Sequence, residues 1–182
     1  MKSALGLPKK VKLKDGRIAT ISFLSKKDSV RELRGFVNGL VAENTYITDD
    51  KKVTLKEEEK WKAGRISAFR KRNAYQLVAR IAGKIAGTTG AGRGKGKERG
   101  DVGLSLLIAK GYRGIGLGEA LLRTNIQVAE SFLKPKTIFL GVLAPNKPAR
   151  ALYKKVGFRE FAVFPKWTLH KGKYVDEVFM KL

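Results

Sequence analysis

The chain has 182 residues, 43% hydrophobic and 30% charged, which describes one globular domain with a buried core rather than two domains or a disordered chain. Thirty-nine Lys and Arg against 16 Asp and Glu leave a formal net charge of +23, a field that draws in nucleic acid, anionic surfaces or phosphate-bearing small molecules. With no Cys and a single His, His170, the chain excludes disulfides, thiolate and multi-His metal sites and a Cys acyl-enzyme.

In chain order, residues 1–10 form a flexible basic start. Its apolar run, Ala4-Leu5-Gly6-Leu7, is too short for a signal-peptide core. No later stretch approaches transmembrane length, so a cytoplasmic protein with no membrane partner is expected. Residues 11–23 alternate as two strands joined by Asp15-Gly16, a dipeptide suited to a type I′ turn. Ser25 or Asp28 caps a helix to about Ala42, with Val30, Leu33, Phe36 or Val37, and Leu40 at helical spacing.

After a polar connection, Thr54 and Glu57 form a capping box for a helix to about Arg70. That helix should bury some combination of Leu55, Trp61, Ile66 and Phe69. Short strands at 75–81 and 85–89 turn through Ala82-Gly83-Lys84, and the Gly- and Arg/Lys-rich stretch 90–100 reads as a flexible cationic loop.

The apolar run 102–108 has the look of a strand buried on both faces. Leu117, Leu121, Val128 and Phe132 make a helical stripe, and 137–142 is a second buried strand. Pro148 opens a short helix that Gly157 ends, and 158–166 with 175–182 close the chain as a hairpin through Lys171-Gly172-Lys173. The sum is a mixed α/β architecture with one sheet and about four helices.

The informative junction runs from strand through Arg113-Gly114-Ile115-Gly116-Leu117-Gly118 into a helix. Glycines there leave backbone N–H groups bare, and the helix adds unpaired donors and the positive end of its dipole: a cradle for phosphate. The same glycines also suit a tight turn with close helix–sheet packing, and spacing alone leaves both readings open. A Walker A loop is excluded, since no Lys-Ser/Thr follows. Some 30 residues on, a buried strand ends at Asn146, and Ala149, Arg150 and Tyr153 share a helical face with it. Taken alone, Asn146 is as well explained as a helix cap and Tyr153 as a core aromatic.

Together and in this order, the two segments resemble the GNAT superfamily of acyl-CoA-dependent N-acetyltransferases. The family's Arg-x-x-Gly-x-Gly motif is matched by Arg113, Gly116 and Gly118, and its later pattern by Asn146, Ala149, Leu152-Tyr153 and Gly157-Phe158. The resemblance implies one domain over 1–182, with a mostly antiparallel sheet of six to seven strands splayed in the middle and about four helices. It implies acetyl-CoA as co-substrate, its pyrophosphate on the N–H groups of Gly114, Ile115, Gly116, Leu117 and Gly118 beside Arg113. A backbone N–H near Leu107 or Ile108 would stabilise the oxyanion, and Asn146 and Arg150 would flank the coenzyme. Lys147, Arg150 or Lys154 would meet the 3′-phosphate.

Tyr153 would protonate the departing thiolate, and an acceptor amine on a protein, peptide or small molecule would attack directly, with no metal. An amine of ordinary pKa near 10.4 must first lose a proton. The strand before the loop carries no Glu, which leaves Asp101 at its start and Glu43 in the helix connection as candidate bases. Two other classes compete: a nucleic-acid-binding module gripping phosphate through the 93–99 loop, and a CoA-binding protein of this fold without catalysis.

Overall fold

The computed structural model describes residues 5–182. Strands β1 (Lys9–Lys12), β2 (Ile18–Phe23), β3 (Ala74–Ile81), β4 (Lys84–Arg93), β5 (Asp101–Ile108), β6 (Thr137–Leu143), β7 (Arg159–His170) and β8 (Lys173–Lys181) form one sheet. Four helices cover it: α1 (Val30–Ala42), α2 (Leu55–Arg70), α3 (Leu117–Val128) and α4 (Lys147–Val156). Eight strands are thus found where six to seven were expected. Their order is β1-β2-β3-β4-β5-β6-β8-β7, antiparallel throughout except for β5 beside β6. The basic start is less free than expected: Leu7 is buried in the core and β1 begins at Lys9, while residues 1–4 of that expectation lie outside the described residues.

The turns sort themselves by backbone geometry. Ala82-Gly83 and Lys171-Gly172 each have both φ values positive, the type I′ condition, and each joins directly paired strands. At Asp15-Gly16 only the glycine has positive φ; Gly16 N–H donates to Leu13 O and the loop spans five residues. The I′ expectation fails there because the Asp15 carboxylate turns back to Arg17, accepting from its N–H at 3.2 Å and its Nε at 2.6 Å.

Helix α1 is capped by Ser29, one residue beyond the expected candidates, because Asp28 instead accepts hydrogen bonds from the N–H and hydroxyl of Ser25. The Thr54–Glu57 capping box of α2 forms as expected. The face of α2 does not. Its buried residues are Glu58 and Lys62, while Trp61 is 37% exposed and Ile66 and Phe69 are half-buried. Lys62 is accounted for, since its ammonium donates to the carbonyls of Lys26 and Asp28.

The expected loop at 90–100 begins later, at Gly94, because β4 continues through Arg93. Helix α3 lies over this strand, and a Cβ at Gly90 would stand 2.3 Å from Gln76 Oε1. Glycine is therefore a packing requirement here, not a sign of flexibility. The contact is fastened by Asn125, fully buried, whose amide donates to Thr89 Oγ1 at 2.7 Å and Gly90 O at 3.0 Å. Tyr75 donates to the main-chain carbonyl of Asn125 at 2.6 Å. The Arg93 guanidinium is spent on the carbonyls of Arg72, Arg99 and Leu133, which ties the loop to the body.

All four residues of the α3 stripe, Leu117, Leu121, Val128 and Phe132, are buried against the sheet. Replacing Asn125 by Ala leaves Thr89 and Gly90 short of a donor and opens a cavity. We expect a loss of about 2 kcal/mol in urea unfolding, and a loss below about 0.5 kcal/mol would remove this network from the account.

Candidate active site

The site begins with a fault in the sheet. Strands β5 and β6 pair only over 101–103 and 137–139 and then diverge. Which backbone groups face the gap follows from the ladders on either side. Gly94 N–H donates to Asp101 O and Ala109 N–H to Ala86 O, so the bonds from β5 to β4 fall on its odd-numbered residues. The even-numbered residues therefore turn toward β6, and past the last bridge the C=O of Leu104, the main chain of Leu106 and the N–H of Ile108 face the gap. On β6, Leu182 N–H donates to Ile138 O and Ala144 N–H to Asp176 O, which assigns even-numbered residues to β8 and leaves Gly141 and Leu143 facing β5.

Of the two residues expected at the oxyanion, Ile108 faces the gap. Leu107 is corrected: its N–H is directed to Thr88 on β4. Leu106 faces the gap instead.

Beyond β5 the chain bends at Gly114 and Gly116, with φ of +78° and +89°, and enters α3 with Gly116 at the N-cap. Among the described residues, no N–H from 114 to 119 donates to a protein acceptor. Gly114, Gly116 and Gly118 line the cleft, whereas the side chains of Ile115 and Leu117 pack into the core and offer only their backbone. Glu119 in the first turn is neutralised by Lys155 at 2.6 Å and Arg123 at 3.1 Å, which hold its carboxyl below the usual range. Lys14, from the β1–β2 turn, lies over Gly116 and accounts for a cation the sequence reading missed.

The gap and the bend open into one cleft of about 1130 Å³. Tyr153 and Asn146, from α4, line it on the far side. Asn146 caps α4, its Oδ1 accepting from Ala149 N–H at 3.3 Å. Tyr153 is buried, with its ring 6.1 Å from that of Phe158, and burial pushes its phenol up to about 12. At the mouth, Tyr46 stacks on His170 at 4.8 Å, joining the α1–α2 connection to the β7–β8 hairpin.

Four expected site residues are placed or engaged differently. Asp101 sits at the paired end of β5, seven residues from Ile108 and roughly 23 Å away along an extended strand, outside the cleft. Glu43 does line the cleft, but both carboxylate oxygens accept from the Arg113 guanidinium, one at 2.9 Å. That bond holds its carboxyl below the usual range and disfavours a role as base. Arg113, expected beside the phosphate, lines the cleft at the bend, with its Nε donating to Ile108 O at 3.0 Å and the rest of its guanidinium on Glu43. Arg150 is turned away, bound to Ala144 O at 3.2 Å and Glu160 at 2.8 Å, and Lys154 joins the same carboxylate at 2.9 Å.

The remaining wall was not legible as a motif. Glu58 and Arg65 from α2, Gln76 from β3 and Glu177 from β8 all line the cleft. Glu58 is 7% exposed, and burial, reinforced by the charge of Asp49, raises its carboxyl above the usual range.

A family model described as the Acetyltransferase (GNAT) family matches residues 38–158, and the chain belongs to that family. It is 31% identical over 106 residues to the L-amino acid N-acetyltransferase AaaT of Escherichia coli, a match that covers 58% of this chain and 65% of that protein. Among solved structures, a ribosomal-protein-alanine N-acetyltransferase of Brucella melitensis superposes with a TM-score of 0.80 at 26% identity, covering 89% of this chain and 98% of that one. The yncA protein of Salmonella typhimurium, solved with its cofactor acetyl-CoA, superposes with a TM-score of 0.79 at 25% identity, covering 90% and 92%.

Gly116→Val forces a branched side chain into the left-handed region and toward Lys14, which costs about 1–3 kcal/mol locally. We expect CoA binding by calorimetry to weaken roughly tenfold or more, with the fold retained; unchanged affinity would take the bend out of the site.

Proposed function

We propose that the protein transfers the acetyl group of acetyl-CoA to an amine on a protein, peptide or small molecule by direct attack, without a covalent enzyme intermediate. One observation carries the reading: the bare N–H groups of 114–119 and the opened edge between β5 and β6 share a single cleft. The residues fit the coenzyme. The bend is anion-binding by geometry and dipole, and unpaired strand edges accept an extended amide-bearing arm. Acetyl-CoA supplies the activated acetyl thioester.

The chain's own part follows from its geometry. The N–H groups of Leu106 and Ile108, aimed into the gap, polarise a carbonyl placed there. Tyr153 gives a proton to the departing sulfur, and its burial keeps the phenol protonated at any pH the enzyme meets. Lys14 adds positive charge over the bend.

The acceptor is the open term. One relative is named for L-amino acids and one structural neighbour for a ribosomal-protein alanine, so both small and peptide amines belong in a screen. The reading takes residues 1–182 as one catalytic unit in the cytoplasm; among the described residues no helix is long and apolar enough to cross a membrane. For nucleic-acid binding through the 93–99 loop, Arg93 would not be a free contact, since its guanidinium is committed to carbonyls.

Thiol release with acetyl-CoA and a panel of amines tests the proposal. Tyr153→Phe should lower turnover roughly 100-fold with CoA affinity within about twofold; unchanged turnover would remove its acid role. The pH profile gives a second check. A phenol near 12 stays protonated where an ordinary one near 10 ionises, so the rate should rise as the amine deprotonates and hold through pH 10. A descending limb near pH 10 that Tyr153→Phe abolishes would contradict this. CoA binding with no transfer to any amine would instead indicate a binding protein of this fold.

A further inference from the structure

Glu58, 7% exposed, is the one buried carboxylate of the described residues, and its carboxylate opens on the cleft. Carboxylates are almost never this enclosed unless paired. Its side chain accepts no hydrogen bond and meets no cation among the described residues. It sits in the first turn of α2, where the helix dipole favours a carboxylate, and its side chain lines the cleft.

Its surroundings sharpen the question of what it faces. From its own helix come Glu57, occupied by the capping box, and Arg65, whose guanidinium lies over the Trp61 ring at 5.9 Å and forms no ion pair with Glu58. From the α1–α2 connection comes Asp49, whose charge opposes that of Glu58. From β8 comes Glu177, which accepts from Thr168 at 2.9 Å and leans over Gly141.

From β3 comes Gln76, 5% exposed, whose buried Oε1 has no donor. This wall of the cleft thus holds three carboxylates without a cationic partner, in a chain of net charge +23. Apart from the guanidinium of Arg65, which is drawn over Trp61, the charged groups it offers are acceptors. An ammonium supplies three N–H donors and one positive charge in a compact head.

We propose that the acceptor amine docks as an ammonium on Glu58, with Gln76 as a neighbouring acceptor, so that this wall of α2 and β3 selects the substrate. The assignment deepens the transferase reading and rests on it. Glu58 is here a binding residue, and its enclosure makes the charge pair strong where an exposed one would be weak.

The test compares wild type with Glu58→Gln and Glu58→Asp. L-alanine, an alanine-leading tetrapeptide with a free N-terminus, and spermidine are titrated calorimetrically into CoA-loaded protein, and the same amines are assayed for acetyl transfer. At least one amine should bind the wild type, and Glu58→Gln should weaken that amine roughly 30-fold or more while leaving CoA affinity within about twofold. Glu58→Asp should recover part of the loss. The melting temperature of Glu58→Gln should hold or rise, because a buried unpaired charge is removed.

Equal amine binding by Glu58→Gln overturns the assignment. So does a fall in its melting temperature together with lost CoA binding, which marks a structural carboxylate. Amine binding that depends on Glu58 without any transfer would refute the transferase reading and leave the ammonium site standing. A wild type that binds CoA but no amine refutes both.

Discussion

A main-chain hydrogen bond that is not made governs this molecule. Past Gly103 and Phe139, β5 and β6 stop pairing, and the C=O of Leu104, both main-chain groups of Leu106, the N–H of Ile108 and the main chain of Gly141 face a gap instead of each other. Buried backbone groups left without partners are costly, and proteins keep few of them. The surrounding sheet over-determines the fault: β4 and β8 fix the outer edges of the two strands, and α3, locked to β4 through Asn125, fixes the angle at which the chain leaves the gap. The cleft is the consequence, and a ligand with its own amides is the natural way to fill it.

The electrostatics divide the cleft into two ends of opposite character. At the bend, bare N–H groups, the α3 dipole and Lys14 make a positive end. Against α2 and β8, Asp49, Glu58 and Glu177 make a negative one. The Arg113–Glu43 pair stands between them and ties the α1–α2 connection to the bend. A net charge of +23 therefore says little about either end. Local geometry decides which charges are spent on the protein and which are left for a ligand, as the contrast of Arg93 with Lys14 illustrates.

What was legible in the sequence was local. The Gly114–Gly116 bend, the Asn146 cap, Tyr153 and the Thr54–Glu57 box are set by residues within a few positions of one another, and each took the expected conformation. What depended on distant partners was not. Leu107 and Leu106 are indistinguishable in an apolar run until the strand beside them is known. Glu43 and Arg113 lie 70 residues apart, and nothing near either announces their bond. Asp101 looked close to the loop in sequence, yet an extended strand carried it to the other end of the sheet.

Gly90 looked like a loop residue because glycine's absence of a side chain serves flexibility and close packing alike, and only Gln76 opposite shows which. Glu58 was hidden by its neighbours, since in a run of three glutamates at a helix start the dipole alone accounts for each.

Backbone amide hydrogen exchange, read with and without CoA, tests the central claim most directly. If the coenzyme occupies the bare donors, protection should appear at 114–119 and at Leu106 and Ile108, while Leu107, already bonded to β4, changes little. Exchange at those amides that is the same with and without saturating CoA would contradict the account.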